Sequence, residues 1–409
     1  MFRDEFIKAI PKTDLHLHLD GSLRLESLID MAKKDHIEMP SYTEEGLREK
    51  VFKDSYNDLG EYLHGFMYTC AVMRTPENLE RVAYELAIDN QNEGVRYIEI
   101  RFAPQLHIDN MSMSMEIILE AVNRGLEKAK KEFNRKKEIV EGKEPSFNYG
   151  IVACAMRMFG ANFSPYYGSF YGLHRYSRPM EIIRMGALEL AKGVVKIRDK
   201  MGIPIVGFDL AGQEAGYPAG DFIDAYNFIH RNFMHKTVHA GEAYGAESIF
   251  QAITDLHADR LGHCYYLFDT DKITDSEIEN KQKYVDDLSS YIAEKRITVE
   301  VCLTSNMQTN PRLKNIKDHS FGEMLKRKIS TTIGTDNRLV SNTTVSKEIK
   351  LAVENFNITP RMLRDIILYG YKRSFYPGSY LEKRKYVRSV MNYYSEILDR
   401  FDIKDCNNG

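Results

Sequence analysis

The 409-residue chain has only five cysteines, Cys70, Cys154, Cys264, Cys302 and Cys406, and no Cys-x-x-Cys pair among them. That spacing excludes a disulfide framework and a cysteine-ligated zinc module. Cys154 and Cys302 lie inside apolar runs, where a free thiol behaves as a small hydrophobe, and such usage suits a reducing compartment. An excess of one charge is also missing: 56 Lys and Arg stand against 59 Asp and Glu, a net −3. Charges so balanced and dispersed leave no electrostatic footprint for nucleic acid or an anionic membrane. The basic stretch 128–143 alternates with glutamates and reads as a solvated helix end. No apolar run is long enough to span a bilayer, and Met1-Phe2-Arg3-Asp4-Glu5-Phe6 lacks the apolar core of a secretory signal. The expectation is a cytoplasmic protein with no nucleic-acid or membrane partner.

What the chain does have is alternation. Short apolar runs near 12–18, 95–102, 148–155, 203–209, 236–240, 259–263, 297–302 and 329–334 read as strands, several of them rich in β-branched residues. Amphipathic segments, for example 76–92, 112–131, 180–200 and 219–232, read as the helices between them. Eight such units predict an α/β fold, a (β/α)8 TIM barrel, with active-site residues at the C-terminal ends of the strands. A helical insertion follows the first strand over 23–75, and extra C-terminal helices run from about 345 to 405. Without a repeat or a linker, residues 1–409 read as a single domain with its barrel core at about 10–345.

Within the insertion, Leu59, Tyr62, Leu63 and Phe66 fall on one helical face. Core packing and an apolar lid over the barrel mouth are both open readings. Residues 160–178 read as a loop crowded with Phe163, Tyr166, Tyr167, Phe170, Tyr171, His174 and Tyr176. Such a segment packs against a pocket or a second subunit, and we favour a homo-oligomer contact. The charged stretch 269–287 reads as exposed.

The most informative run is Lys12-Thr13-Asp14-Leu15-His16-Leu17-His18-Leu19-Asp20-Gly21. Two histidines two residues apart on a strand share one face, where they make poor core material but good metal ligands. Further candidates close later strands: Thr237-Val238-His239-Ala240-Gly241-Glu242, Arg260-Leu261-Gly262-His263 and Thr335-Asp336-Asn337. Three neutral imidazoles and a carboxylate suit Zn2+ with one position left for water. The His-x-Glu and Pro-Cys-x-x-Cys signature of the cytidine-deaminase type is absent. The fourth strand ends Gly207-Phe208-Asp209-Leu210-Ala211-Gly212, without the lysine that bridges two metals in some barrel hydrolases. A mononuclear site, one Zn2+ per chain, is expected.

These motifs, with Gly212-Gln213-Glu214, resemble those of the adenosine deaminases in the amidohydrolase superfamily. They run from the first strand to the eighth, and Tyr97-Ile98-Glu99-Ile100-Arg101-Phe102-Ala103-Pro104 resembles the family's second strand. The insertion loops and the tail beyond about 380 do not match by motif. The resemblance implies that His16, His18, His239 and Asp336 hold the zinc. It implies that Glu242 gives a proton to purine N1 and that His263 orients the attacking hydroxide. It further places Gly212 at N3, and Asp20 with His18 at the ribose 5′-hydroxyl of a small-molecule purine nucleoside. Many members carry a second aspartate where this chain has Asn337; the amide is a donor suited to N7. Spacing alone leaves His263 open as a further ligand. The implied reaction is zinc-dependent hydrolysis of adenosine, and of 2′-deoxyadenosine, to inosine or deoxyinosine and ammonia, as in purine salvage. The rivals are a deaminase of adenine, AMP or a modified adenosine, and a non-catalytic nucleoside-binding homologue.

Overall fold

A computed structural model describes residues 2–109 and 111–404; Cys406 lies outside them. Eight parallel strands stand side by side in chain order. They are β1 (Lys12–His18), β2 (Val95–Phe102), β3 (Asn148–Met156), β4 (Ile205–Ala211), β5 (His235–Ala240), β6 (Arg260–His263), β7 (Thr298–Val301) and β8 (Thr331–Ile333). The ring closes where the His18 amide donates to the Asp336 carbonyl at 2.7 Å and the Asp336 amide to the His16 carbonyl at 2.7 Å. Asp14 tightens this seam by accepting from the Thr335 amide (3.1 Å) and hydroxyl (2.6 Å). Two predicted ligand segments are therefore stitched together by barrel closure itself.

Most of the outer helices lie where the periodicity places them, including Pro76–Asn92 and Pro179–Met201. The helix expected over 112–131 runs Met115–Asn134, because the Ser114 side chain caps its first turn. The segment 219–232 opens as a 3-10 turn, Ala219–Phe222, before the α-helix Ile223–Arg231. Strand β4 begins two residues later than expected: Gly202 turns the chain at φ +67°, and Pro204 follows before the ladder can start. The stretch 269–287 is largely exposed and holds a 3-10 turn and the start of helix Lys281–Lys295. Helices Val345–Asn355, Pro360–Arg373 and Tyr380–Arg400 form the C-terminal layer.

Two expectations change. The aromatic segment is not all loop: Pro165–Leu173 is a helix, with Ser164 as its N-cap. Its Tyr167 is buried within its own chain, stacked on Phe159 at 3.9 Å between centroids, and its hydroxyl donates to Gln105 Oε1 at 3.1 Å. Tyr167 therefore packs inside the chain and is not a surface group. The exposed large hydrophobic side chains of this segment are Leu173 and Tyr176.

The insertion helix Leu59–Val72 combines both readings offered for it. Tyr62 is buried against Tyr56, while Leu59 reaches a cavity of about 300 Å³ at the barrel mouth, lined also by Glu242, Tyr265, Tyr266, Lys272 and Asn306.

Candidate active site

The alternation of β1 turns His16 and His18 to the same side, and barrel closure brings them against β5 and the turn after β8. His16 Nε2 lies 3.1 Å from His239 Nε2, and His18 Nε2 lies 3.2 Å from the same atom. Asp336 Oδ1 is 3.5 Å from His16 Nε2 and 3.4 Å from His18 Nε2. His263 joins the group: one ligand atom from each of His16, His239, His263 and Asp336 falls within 4.8 Å of all the others. All five side chains are buried. Asp336 and His263 both adopt left-handed backbone, φ +60° and +63°, conformations that non-glycine residues hold at a cost and that cluster at functional sites.

Two buried carboxylates and a buried hydroxyl orient this cluster. His16 Nδ1 meets Glu300 Oε2 at 2.8 Å, His239 Nδ1 meets Asp209 at 3.1 Å, and the Ser305 hydroxyl donates to Asp336 Oδ2 at 2.6 Å. Burial alone would push Glu300 up, yet Arg101 and Arg260 hold it well below the usual carboxylate range. Burial is likewise outweighed at Asp209, by His239 and Arg101. Arg101 bridges the two, donating to Asp209 Oδ2 at 2.9 Å and Glu300 Oε2 at 2.7 Å. Ionised carboxylates require the proton of each imidazole to sit on Nδ1, leaving a lone pair on Nε2. In the neutral rings two such lone pairs face each other at 3.1 Å. They repel unless a cation lies between them, and about 3 Å is the separation of two ligands that share one ion at about 2 Å.

Glu242 stands three residues past His239, with Oε1 3.5 Å from His263 Nε2 and about a tenth of its side chain exposed. Burial, reinforced by the charges of Asp336 and Glu214, pushes it up to about 8. Glu214 fixes the turn that carries it, accepting from the amides of Gly241 (3.0 Å), Glu242 (3.0 Å), Ala243 (2.7 Å) and Tyr244 (3.1 Å) and from Ser248 (2.7 Å).

The adenosine deaminase profile matches residues 11–162 and 180–393. This chain belongs to the adenosine deaminase family. As such it is a hydrolase. The unmatched interval falls on the aromatic segment. An adenosine deaminase of Clostridium botulinum is 34% identical over 345 residues, 84% of this chain and 88% of that protein. Among solved structures, an adenine deaminase from Arthrobacter aurescens superposes with a TM-score of 0.74 at 21% identity, covering 95% of this chain and 100% of that one. An amidohydrolase from Burkholderia ambifaria with bound zinc gives 0.75 at 16% identity, covering 98% and 95%. These two likenesses establish the fold. No helix among the described residues is long and apolar enough to cross a membrane.

The remaining predicted site residues of this deaminase-family chain ring the cluster. Gly212 stands one residue beyond β4 at φ +99°, left-handed backbone that favours glycine. Asn337 gives Nδ2 to the Tyr62 hydroxyl at 2.9 Å, and Oδ1 has no hydrogen-bond partner. That oxygen fills the space a side chain at residue 21 would need, since a Cβ on Gly21 would lie 1.8 Å from it. One amide hydrogen of Asn337 stays available. Asp20 is buried with Oδ1 unpartnered, and burial, then the charge of Asp336, pushes it up to about 7.

Sequence reading did not single out Glu300, Asp209 and Arg101, which orient the ligands, or Tyr62 as the partner of Asn337. It also passed over Cys70 and His107. With Asp20 they form a second buried group whose ligand atoms lie within 4.8 Å of one another. Burial pushes the Cys70 thiol up and His107 down to about 3, and the positive charge of Arg74 lies near both. Neutral groups beside a guanidinium make a poor cation site, and we assign none there.

Proposed function

We propose that this chain hydrolyses adenosine, and 2′-deoxyadenosine with it, to inosine or deoxyinosine and ammonia, with one zinc ion held by His16, His18, His239 and Asp336. The opposed Nε2 lone pairs support a cation at that point, and the nitrogen and oxygen donors suit zinc. Zinc in such a site supplies a hydroxide nucleophile near neutral pH.

The observation that carries the reading is Glu242, a carboxyl 3.5 Å from His263 beside the cluster, which burial pushes up to about 8. Addition of hydroxide at C6 of the purine breaks the ring's aromaticity, so N1 must take a proton as the bond forms. A carboxylic acid with a raised pKa serves that step. Glu242 gives the proton, and His263, with Nε2 3.5 Å from Glu242 Oε1, directs the nucleophile. Ammonia then departs as the proton of the added hydroxyl passes to the amino nitrogen, the C6 oxygen becomes a carbonyl and the ring regains its conjugation. The Gly212 amide faces N3, the remaining Asn337 hydrogen faces N7, and Asp20 with His18 faces the ribose 5′-hydroxyl.

Asp20 favours a nucleoside over its rivals. In its ionised form its charge opposes a 5′-phosphate, and adenine offers it no hydroxyl to bind. Asp20→Ala is expected to lower kcat/KM for adenosine by about 1.5–3 kcal/mol, the range for a hydrogen bond to a charged group. Turnover of adenine, which has no ribose, stays unchanged. Equal losses on both substrates would make Asp20 a structural residue and remove this ground for a nucleoside substrate.

A further inference from the structure

His263 sits in the metal cluster by distance, yet its hydrogen bonds set it apart from His16 and His239. We propose that Asn306 and His319 are positioning residues that hold His263 with its proton on Nε2, making it a hydrogen-bond donor in the site and not a metal ligand. The proposal rests on the deaminase reading only for its kinetic test; the proton's position is independent of it.

The argument starts from a group whose role cannot change. The Phe321 backbone N–H can only donate, and it points at His319 Nδ1 at 3.0 Å. That nitrogen must therefore be bare. Burial keeps the His319 ring neutral, so its proton lies on Nε2, 3.1 Å from Asn306 Oδ1. The carboxamide oxygen is thus occupied as an acceptor, and the amide orientation is fixed. Asn306 Nδ2 then faces His263 Nδ1 at 3.2 Å and donates to it. His263 Nδ1 is bare in turn, because a ring nitrogen that accepts from an amide N–H carries no proton of its own. Its one proton is on Nε2, 3.5 Å from Glu242 Oε1.

His263, Asn306 and His319 are all buried, so water does not compete for the chain of bonds. The Tyr265 ring packs edge-on against His319 at 5.1 Å and keeps it in place. The contrast with the other histidines is one of polarity. Carboxylates draw the protons of His16 and His239 to Nδ1 and bare their Nε2 atoms, whereas an amide donor does the reverse at His263. Three elements contribute to this single proton: the turn before Phe321, the helix Leu303–Thr309 that carries Asn306, and the end of β6.

Asn306→Asp is the direct test, because it keeps the shape and reverses the polarity. A carboxylate accepts from both neighbours, so His263 must move its proton to Nδ1 and bare Nε2. Neutron diffraction from deuterium-exchanged crystals of the zinc-loaded protein should place the deuteron on His263 Nε2 in the parent and on Nδ1 in Asn306→Asp. In parallel, kcat should fall by about 10²–10⁴-fold with KM little changed, approaching the loss seen when a catalytic histidine is held in the wrong tautomer. His319→Gln, which keeps a donor toward Asn306, should retain most of kcat, while His319→Leu should lose it at unchanged Tm. A parent deuteron on Nδ1, or near-parental kcat in Asn306→Asp, overturns the proposal. A parent deuteron on Nε2 in a protein without deaminase activity upholds it and refutes the deaminase reading instead.

Discussion

Glu242→Gln is expected to fold, keep its metal and lose at least ~10²-fold in kcat, the size of a missing general acid. Glutamine preserves the length, the planar head and a hydrogen-bond donor, but it has no proton to transfer. The Glu214 cradle binds the backbone of residues 241–244 and is untouched by the change, so the turn keeps its shape. The same residue sets a pH limit. Its pKa is raised to about 8, so the acid form dominates below that value and activity falls as pH rises through it. In Glu242→Gln this alkaline limb should vanish along with the rate. Steady-state kinetics across pH 6–9.5, together with metal analysis, check both statements. A variant with parental kcat would move the acid to another residue, and one that lost its metal would place Glu242 in the coordination shell.

Changes at the ligands should look different. His16→Ala and Asp336→Ala are expected to lose metal occupancy and turnover together, whereas the parent is expected to hold about one zinc per chain. His16 makes its contact with the cluster through Nε2 and is oriented through Nδ1 by Glu300; alanine removes both. Glu300→Gln leaves the ligand and weakens only its orientation, for which about 10–100-fold in metal affinity is typical. Elemental analysis after slow chelation and zinc return measures the series. Full turnover in a metal-free preparation would end the mechanism. A His18→Ala variant with undiminished affinity would point to His263 as the fourth ligand.

The barrel was legible because its strands are short β-branched runs and its chemistry-bearing residues close four of them. The His-x-His spacing in β1 needed only strand alternation to become a shared face. Less legible was what partners each histidine. Glu300 sits mid-strand in a run read simply as β, and no local pattern tells that it meets His16 from 284 residues away. Its place on the inward face, alternating with Val299 and Val301, was the available clue, since a buried carboxylate demands partners. Asp209 stands in a motif that resembles the family's fourth strand, but no local pattern shows that it orients His239. The aromatic segment misled for a physical reason. Glycines and tyrosines have weak helical preference, but the Ser164 cap and Pro165 start a helix there, and packing on Phe159 holds Tyr167 inside.

The central claim is tested most directly by offering the zinc-loaded protein adenosine, 2′-deoxyadenosine, adenine and AMP, and following ammonia release with loss of the adenine absorbance. The account predicts one ammonia per adenosine consumed, inosine as the product, comparable turnover of the deoxynucleoside, and far slower turnover of adenine and AMP. Preferential release of ammonia from adenine or AMP, or return of adenosine unchanged, would contradict it.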